Sequence, residues 1–154
     1  MRPDRIVAIL LENDPPESSS YLKKFKQDLR YIPAYFDDFE RGYTTGLLQD
    51  YIIHELVGHP MPQSWQIDRF AHKLAKDTRV QIINDCARYR EENAQDLEGL
   101  QPFKSGHDFY QNRNGGNVNQ QYAPKDVWER LRTSAQAMGE SRLYQGENGL
   151  LYAT

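Results

Sequence analysis

The sequence predicts an α+β fold in which several helices precede a small antiparallel sheet, in the order strand, loop, helix and C-terminal hairpin. Three observations support this. Apolar residues recur every three or four positions between Phe36 and Tyr89, which is the spacing of amphipathic helices. Aromatic residues run into the turn-forming letters NGGN at 114–117. Two short apolar runs flank a further turn signal at 147–149.

Composition favours a single domain that spans residues 1–154. The 22 acidic residues outnumber the 19 basic ones, so the overall charge does not draw the protein onto nucleic acid. The single cysteine, Cys86, excludes an internal disulfide framework, and its apolar helical surroundings favour a buried, unreactive thiol. No apolar run approaches about 18 residues, and the run IVAILL lacks a signal-peptide cleavage site. We therefore expect a cytoplasmic protein with no membrane partner.

A short helix is predicted near the N-terminus, after the breaker-rich run ENDPPESSS. Tyr21, Phe25 and Leu29 would line one face of this helix, with lysines opposite. Pro33 would end it.

Residues 36–57 carry aromatic and aliphatic side chains at near-helical spacing. Gly42 and Gly46 interrupt this pattern, and each glycine weakens a helix, so one or two helices are predicted. The segment GHPMPQS at 58–64 combines a glycine, two prolines and a serine, which is typical of a helix-to-helix connection.

The strongest periodic signal in the chain follows Ser64. Its apolar and small residues are Ile67, Ala71, Leu74, Thr78, Ile82, Cys86 and Tyr89. We interpret it as one long amphipathic helix, with a break near Asp77 as the alternative. The opposite side is predicted to be a solvated face. Its charged members are Arg79, Asp85, Arg88, Arg90 and Glu91.

The pattern changes after Gly99. The letters HDFYQNRNGGNVN at 107–119 predict a strand that runs into a hairpin or a functional loop. Pro124 then begins a helix that ends at Gly139. The apolar stripe of this helix consists of Val127, Leu131 and Ala135. The last segment, SRLYQGENGLLYAT at 141–154, predicts a terminal hairpin.

The letters HELVGH at 54–59 invite comparison with the zinc-protease signature, in which two histidines stand four apart on one helical face. Here His54 and His59 stand five apart. At about 100° per residue this spacing separates the side chains by roughly 140° around a helix, so they cannot share a metal without distortion. We therefore expect no metal site and no other cofactor.

The polar segment GHDFYQNRNGG at 106–116 is the main candidate for function. Alternation along a strand would put His107 and Asp108 on opposite faces, so these two residues need not cooperate. The simplest interpretation makes Phe109 and Tyr110 packing residues, with the NGG letters forming a turn. The alternative is a small enzyme or ligand-binding protein that uses His107 and Asp108 with Arg113 as an anion clamp. That alternative requires His107 and Arg113 to converge on a concave pocket.

Three segments resemble a family of uncharacterised small phage and prophage proteins. GHDFYQNRNGG is similar to a motif in that family close to GHDFWLTRNGHGAGFWDR. RLYQGENGLLYAT is similar to its C-terminal stretch, which is close to LYVGDDGKIYA, and DCARYREENAQDL at 85–97 resembles its acidic helix, DCADFYEANADDL. The resemblance covers 47–152 with gaps. It implies a phage accessory protein and carries no known activity.

Two departures from the family shape this expectation. Gly116 stands where the family typically has a second histidine, which argues against a two-histidine catalytic or metal site. Residues 1–40 have no counterpart, so they are predicted to be a family-specific extension that binds a partner, and 47–152 the family-like core.

We therefore expect a nonenzymatic protein that binds and modulates a host protein or protein complex in the host-cell cytoplasm. Inhibitors of host defence, of the anti-CRISPR or anti-restriction type, belong to this class. Direct nucleic-acid binding is the less favoured alternative, and a homodimer is compatible with the thin aromatic core. The predicted binding residues are His107, Asp108, Tyr110, Asn112, Arg113, Asn114, Asn117 and Tyr122.

Overall fold

The computed structural model describes residues 5–6, 9, 36–55, 64–116 and 123–154 of the chain. Helices make up most of this part, and its two strands form one antiparallel hairpin at the C-terminus. The α+β class is therefore confirmed. The elements are α1 (Asp38–Glu55), α2 (Ser64–Ala71), α3 (Lys76–Glu92), α4 (Ala94–Leu97), α5 (Pro102–Arg113), α6 (Lys125–Ala137), β1 (Leu143–Gln145) and β2 (Leu151–Ala153).

The pair α1 and α5 has the most extensive contact between elements in the described part of the chain. A Cβ atom on Gly42 would collide with the carbonyl oxygen of Phe103, and one on Gly106 would collide with the carbonyl oxygen of Phe39. The two helices thus touch backbone to backbone. Because Gly46 has no side chain, the ring of Tyr110 can pack directly against α1 at this position. The glycines that weaken α1 locally are the residues that let α5 approach it, and α1 is one continuous helix of 18 residues.

An aromatic cluster fills the centre of the core. The ring of Phe109 on α5 stacks on Tyr89 of α3 at a centroid distance of 4.0 Å and lies 4.8 Å from Tyr43 of α1. Cys86 is completely buried beside this cluster, and burial raises the pKa of its thiol well above the ordinary value. The prediction of a buried cysteine is confirmed.

The predicted N-terminal extension, residues 1–40, also contributes to this core, and Phe36 and Phe39 near its end are buried there. Ile9 is fully buried with the other apolar residues. The guanidinium of Arg5 pairs with the completely buried carboxylate of Glu40, which Arg90 of α3 also contacts at 3.2 Å. These contacts tie this end of the chain to α1 and α3.

The prediction of a strand within 107–113 is wrong, because this segment is part of α5. Pro102 occupies the first turn, and the side chain of Gln101 caps it by accepting a hydrogen bond from the N–H of Lys104. The helix ends at Asn114, and Gly115 supplies the positive φ of 83° that turns the chain away. The NGG letters therefore mark a helix end, not a strand-to-hairpin turn.

The long helix predicted after Ser64 is divided into α2 and α3, so the alternative with a break is correct, a few residues before Asp77. The break between α2 and α3 exposes backbone groups that bond to the C-terminal hairpin. The N–H of Leu151 donates to the carbonyl of Lys73 at 2.8 Å, and the N–H of Ala75 donates to the carbonyl of Leu151 at 3.0 Å. The interruption thus binds one edge of the C-terminal hairpin.

The predicted solvated face of this region is wrong for three of its five residues. Arg79 is only 5% exposed. Asp85 pairs with Arg113 at 2.8 Å, and Arg90 pairs with Asp37 at 2.9 Å. Helical spacing finds the apolar stripe, but it cannot reveal which charged side chains meet opposite charges on other elements. Arg88 and Glu91 are exposed as predicted.

The C-terminal predictions are confirmed. Leu131 and Ala135 of α6 are buried, and Gly139 follows the helix with a φ of 77°. In the hairpin, Tyr144 pairs with Tyr152, and their rings stack at 5.9 Å on its outer face. The turn is closed by the N–H of Gly146, which donates to the carbonyl of Leu150 at 2.8 Å.

Some predictions lie outside the described residues. They are the helix before Pro33, most of the connection at 58–64, and the binding residues Asn117 and Tyr122. Among the helices that the structure describes, none is long and apolar enough to cross a membrane.

The backbone contact between α1 and α5 gives a first prediction. Replacing Gly by Ala inside a helix normally stabilises it by about 0.5–1 kcal/mol. Here Gly42→Ala and Gly106→Ala are expected to lower the free energy of unfolding by about 1–3 kcal/mol each, because the methyl group meets a backbone carbonyl that cannot move aside. Urea denaturation measures the change.

Two further variants control this experiment. Gly46→Ala meets the Cβ and ring of Tyr110 at 2.7–2.9 Å, whereas the backbone carbonyl oxygens at Gly42 and Gly106 lie at 1.9 Å, so its cost should be smaller. Glu91→Ala on the exposed side of α3 should change stability by less than about 0.5 kcal/mol. Stabilisation by Gly42→Ala would contradict the backbone contact.

Candidate binding groove

Arg113 acts as an internal clamp. It is 8% exposed, and its Nη1 donates to Asp85 Oδ2 at 2.8 Å and to the hydroxyl of Tyr43 at 2.9 Å. Its Nε donates to the carbonyl oxygen of Gly139 at 2.6 Å. These bonds join α5 to α1, to α3 and to the segment after α6. The guanidinium is therefore committed to the fold and does not reach a surface ligand.

Asp108 and Asn112 are also buried, one turn apart on α5. Asp108 Oδ1 lies 3.7 Å from the ammonium of Lys104. Asn112 is 1% exposed, and neither atom of its amide has a hydrogen-bond partner among the described residues. Neither side chain reaches open solvent, so neither can take part in an external contact without rearrangement.

His107 is half-buried against α1. Its Nε2 lies 2.8 Å from Oε1 of Gln49. Burial lowers the pKa of His107, and nearby Lys104 lowers it further, while Asp108 opposes the shift. The ring is therefore neutral near pH 7. The sequence drew attention to His107 but not to Gln49, which fixes its position.

Asp50 of α1 is the centre of a second polar network. Tyr110 donates its hydroxyl to Asp50 Oδ2 at 2.6 Å, and Arg142 donates Nη1 to the same oxygen. His54, one turn further along α1, places Nε2 3.0 Å from Asp50 Oδ1. Burial, followed by the hydrogen bond to Asp50, raises the pKa of Tyr110 well above its ordinary value. Tyr110 is thus a permanent donor.

Asn114 connects this network to the hairpin. Its Nδ2 donates to the carbonyl of Tyr110 at 3.0 Å, and its Oδ1 accepts from the N–H of Ser141 at 2.8 Å. Its own carbonyl accepts from Arg142 Nη2 at 3.2 Å. The helix end, the turn and the start of the hairpin are therefore held as one unit.

An open groove of about 290 Å³ lies over this network, and we call it the Asp50 groove. It runs between α1 and the turn at 114–116, with Ile53 and His54 on its rim. A neighbouring groove of about 330 Å³ shares Asp50, His54 and Arg142 and continues to Glu55 and Leu143. The surface here is shallow and mixed in polarity, which suits a contact with a macromolecule better than the enclosure of a small substrate.

The structure thus divides the predicted binding residues. Tyr110 and Asn114 line the Asp50 groove; Asp108, Asn112 and Arg113 are packed inside the fold. His107 and Arg113 do not converge, because six positions on a helix place them roughly 120° apart. The enzyme or ligand-binding alternative required His107 and Arg113 to converge on a concave pocket. The structure does not meet this requirement. Within the described ranges, no three His, Cys, Asp or Glu residues are placed to hold a metal ion.

Sequence reasoning missed Asp50 and Arg142. The spacing of Asp50 and His54 places both on one face of α1 and could have indicated that pair. Arg142 reaches Asp50 from 92 positions away, and no local pattern signals such a contact.

Comparison of the chain with models of known protein families, with curated proteins and with solved structures found no match in any of the three.

The clamp at Arg113 leads to a stability prediction. Arg113→Met leaves Asp85 and Tyr43 without their partner, so we expect the free energy of unfolding to fall by about 3 kcal/mol. Arg88→Met is the matched control, because among the described residues Arg88 pairs only with Glu92, on the exposed surface of α3, and its loss should cost less than about 1 kcal/mol. Equal effects of the two variants in chemical denaturation would show that the clamp does not stabilise the fold.

The buried ring of His107 leads to a prediction about pH. Its pKa in the folded chain lies below the unfolded value of about 6.5. On acidification through that value the unfolded chain gains a proton before the folded chain does, so stability is lost as pH falls. Between about pH 7 and about pH 5 the wild-type chain should lose more stability than His107→Gln, which keeps a polar side chain but does not titrate. Parallel pH profiles in urea denaturation would contradict this assignment.

Proposed function

We propose that the chain is a nonenzymatic accessory protein of a phage or prophage, which binds a host protein in the host-cell cytoplasm and modulates it. Inhibition of a defence system, of the anti-CRISPR or anti-restriction type, is the form of modulation proposed. The resemblance of the GHDFYQNRNGG segment supports the origin. The Asp50 groove supports the binding role, and the proposal depends chiefly on this one feature.

The composition of the groove supports binding to a protein. Ile53 is 37% exposed and the side chain of Arg142 is 43% exposed, and both border a polar floor built on Asp50. Tyr144 on the adjoining hairpin is 50% exposed. Arginine and tyrosine side chains are enriched at interface centres, and a preformed floor reduces the entropy lost on binding.

The two alternatives have weaker support in the described residues. The enzyme hypothesis depends on His107, Asp108 and Arg113, which face different neighbours. Direct nucleic-acid binding would need available basic side chains, and Arg130 and Arg132 of α6 are two candidates for it. Arg130 is paired with Asp96 and Asp126, while the guanidinium of Arg132 lies 4.6 Å from the ring of Trp128. Its other candidates, the basic residues at 23–30, lie outside the described part of the chain.

Affinity capture from bacterial lysates tests the proposal, with two charge-matched variants. Ile53→Asp places a carboxylate on the rim of the groove, whereas Gln136→Asp places one on the exposed side of α6, away from it. We expect the wild type and Gln136→Asp to retain one host protein at moderate salt and Ile53→Asp to lose it by roughly tenfold or more.

Two results would count against the proposal. If no host protein is retained from any plausible host, the binding role is wrong. If Ile53→Asp retains the partner as well as the wild type does, the Asp50 groove is not the contact surface. Far-UV circular dichroism of both variants shows whether the fold is intact.

A further inference from the structure

The C-terminal hairpin has one covered edge and one open edge. In an antiparallel pair, successive residues turn their backbone groups alternately toward the partner strand and away from it. The N–H of Thr154 donates to the carbonyl of Arg142 at 3.0 Å, and the N–H of Gly146 donates to the carbonyl of Leu150 at 2.8 Å. The backbone groups of Leu143 and Gln145 therefore point away from β2.

The outward groups of the two strands differ in their partners. On β2, the N–H and carbonyl of Leu151 are bonded to Lys73 and Ala75 at the break between α2 and α3. On β1, no backbone group elsewhere in the described residues bonds to the outward N–H or carbonyl of Leu143 or Gln145. This edge is a template for one more strand.

Open space lies next to the start of this edge. The groove of about 330 Å³ reaches Leu143, the first residue of β1, from the C-terminal end of α1, and its other walls include Tyr51, His54 and Glu55. An added strand would lie about 4.8 Å from β1, with alternate side chains pointing into the groove and out beside Tyr144. The exposed ring of Tyr144, stacked on Tyr152, offers a flat aromatic surface on that outer face.

The charges around the open edge of β1 indicate which kind of segment could bind there as an added strand. Asp50 and Glu55 line the groove, while Glu140 and Glu147 are exposed before and after β1. Arg142 is the basic residue among them; its guanidinium pairs with Asp50 and lies 4.0 Å from Glu140, so Glu55 and Glu147 are the carboxylates that it does not contact. An extended segment that carries lysine or arginine would thus meet carboxylates in the groove and a cation–π surface at Tyr144.

We propose that β1 binds an extended, basic peptide segment of a partner protein as an added strand. This inference rests on the proposed function, because it specifies which part of the partner is bound and on which edge. It predicts main-chain hydrogen bonds to Leu143 and Gln145, together with a salt-dependent contribution from the surrounding carboxylates.

Three synthetic peptides test the proposal on the full chain: an alternating Lys, Val and Thr peptide, the same peptide with Glu in place of Lys, and the Lys peptide with a central Pro. Nuclear magnetic resonance titration should show the amide signals of Leu143 and Gln145 shifting with the Lys peptide. The Glu and Pro peptides should bind at least roughly tenfold more weakly, because one lacks the charge and the other cannot pair as a strand.

Substitutions in β1 test whether the peptide binds at this edge. Gln145→Pro removes an outward N–H without breaking a bond to β2, so it should weaken the Lys peptide by roughly tenfold, whereas Gln145→Ala should not. Tyr144→Ala should weaken it and Tyr144→Phe should not, since the ring provides the contact. Thermal unfolding of each variant confirms that the hairpin is intact.

Other outcomes overturn the inference. Equal binding of the Lys and Glu peptides, or no binding at all, would refute a basic partner segment. Concentration-dependent self-association in sedimentation that Gln145→Pro abolishes would show that a second copy occupies the edge instead. Capture of a host protein that depends on Ile53 but not on Gln145 would refute the inference and leave the proposed function standing. Peptide binding without any captured host protein would refute the proposed function alone.

Discussion

The direct backbone contact between α1 and α5 determines where most other side chains lie. With Gly42, Gly46 and Gly106 at the crossing, α5 approaches α1 more closely than helices with larger contact residues could. At this distance Phe109 enters the space between Tyr43 and Tyr89 and completes the aromatic core. A larger residue at the crossing would lift α5 and separate these rings.

The same contact places two polar residues of α5 in separate networks: Arg113 inside the fold, and Tyr110 beneath the Asp50 groove. Arg113 packs against Tyr43 and Asp85. It makes three hydrogen bonds inside the fold, to these two side chains and to the carbonyl of Gly139. Tyr110 is brought within 2.6 Å of Asp50, which leaves that carboxylate fixed at the floor of an open groove. A rigid floor of this kind depends on α5 keeping its position, so crossing variants should also disturb the groove.

The sequence predicted those features whose signals are local. The stripe of Leu131 and Ala135 and the terminal hairpin follow from spacing and turn residues within a few positions. The α5 prediction failed because a turn-forming NGG after aromatic residues fits a strand end and a helix end equally well. Arg90 and Asp85 were assigned to solvent because periodicity carries no information on their distant partners. Asp50 was missed for the same reason, since Tyr110 lies 60 positions away and Arg142 lies 92 positions away.

Gly116 connects the packing of the turn after α5 with the shape of the Asp50 groove. Its N–H donates to the carbonyl of Gln111 at 2.7 Å, which folds the turn back onto the end of α5. A Cβ atom here would lie 2.6 Å from that carbonyl oxygen. A histidine at this position, as in the family motif, would therefore require a more open turn. Asn114 and Gly115, which line the Asp50 groove, lie directly before this turn, and Asn114 also accepts the hydrogen bond from Ser141. In this chain Gly116 permits the tight turn, and Asn114 just before that turn anchors the start of the hairpin, so the start of β1 is held beside the Asp50 groove.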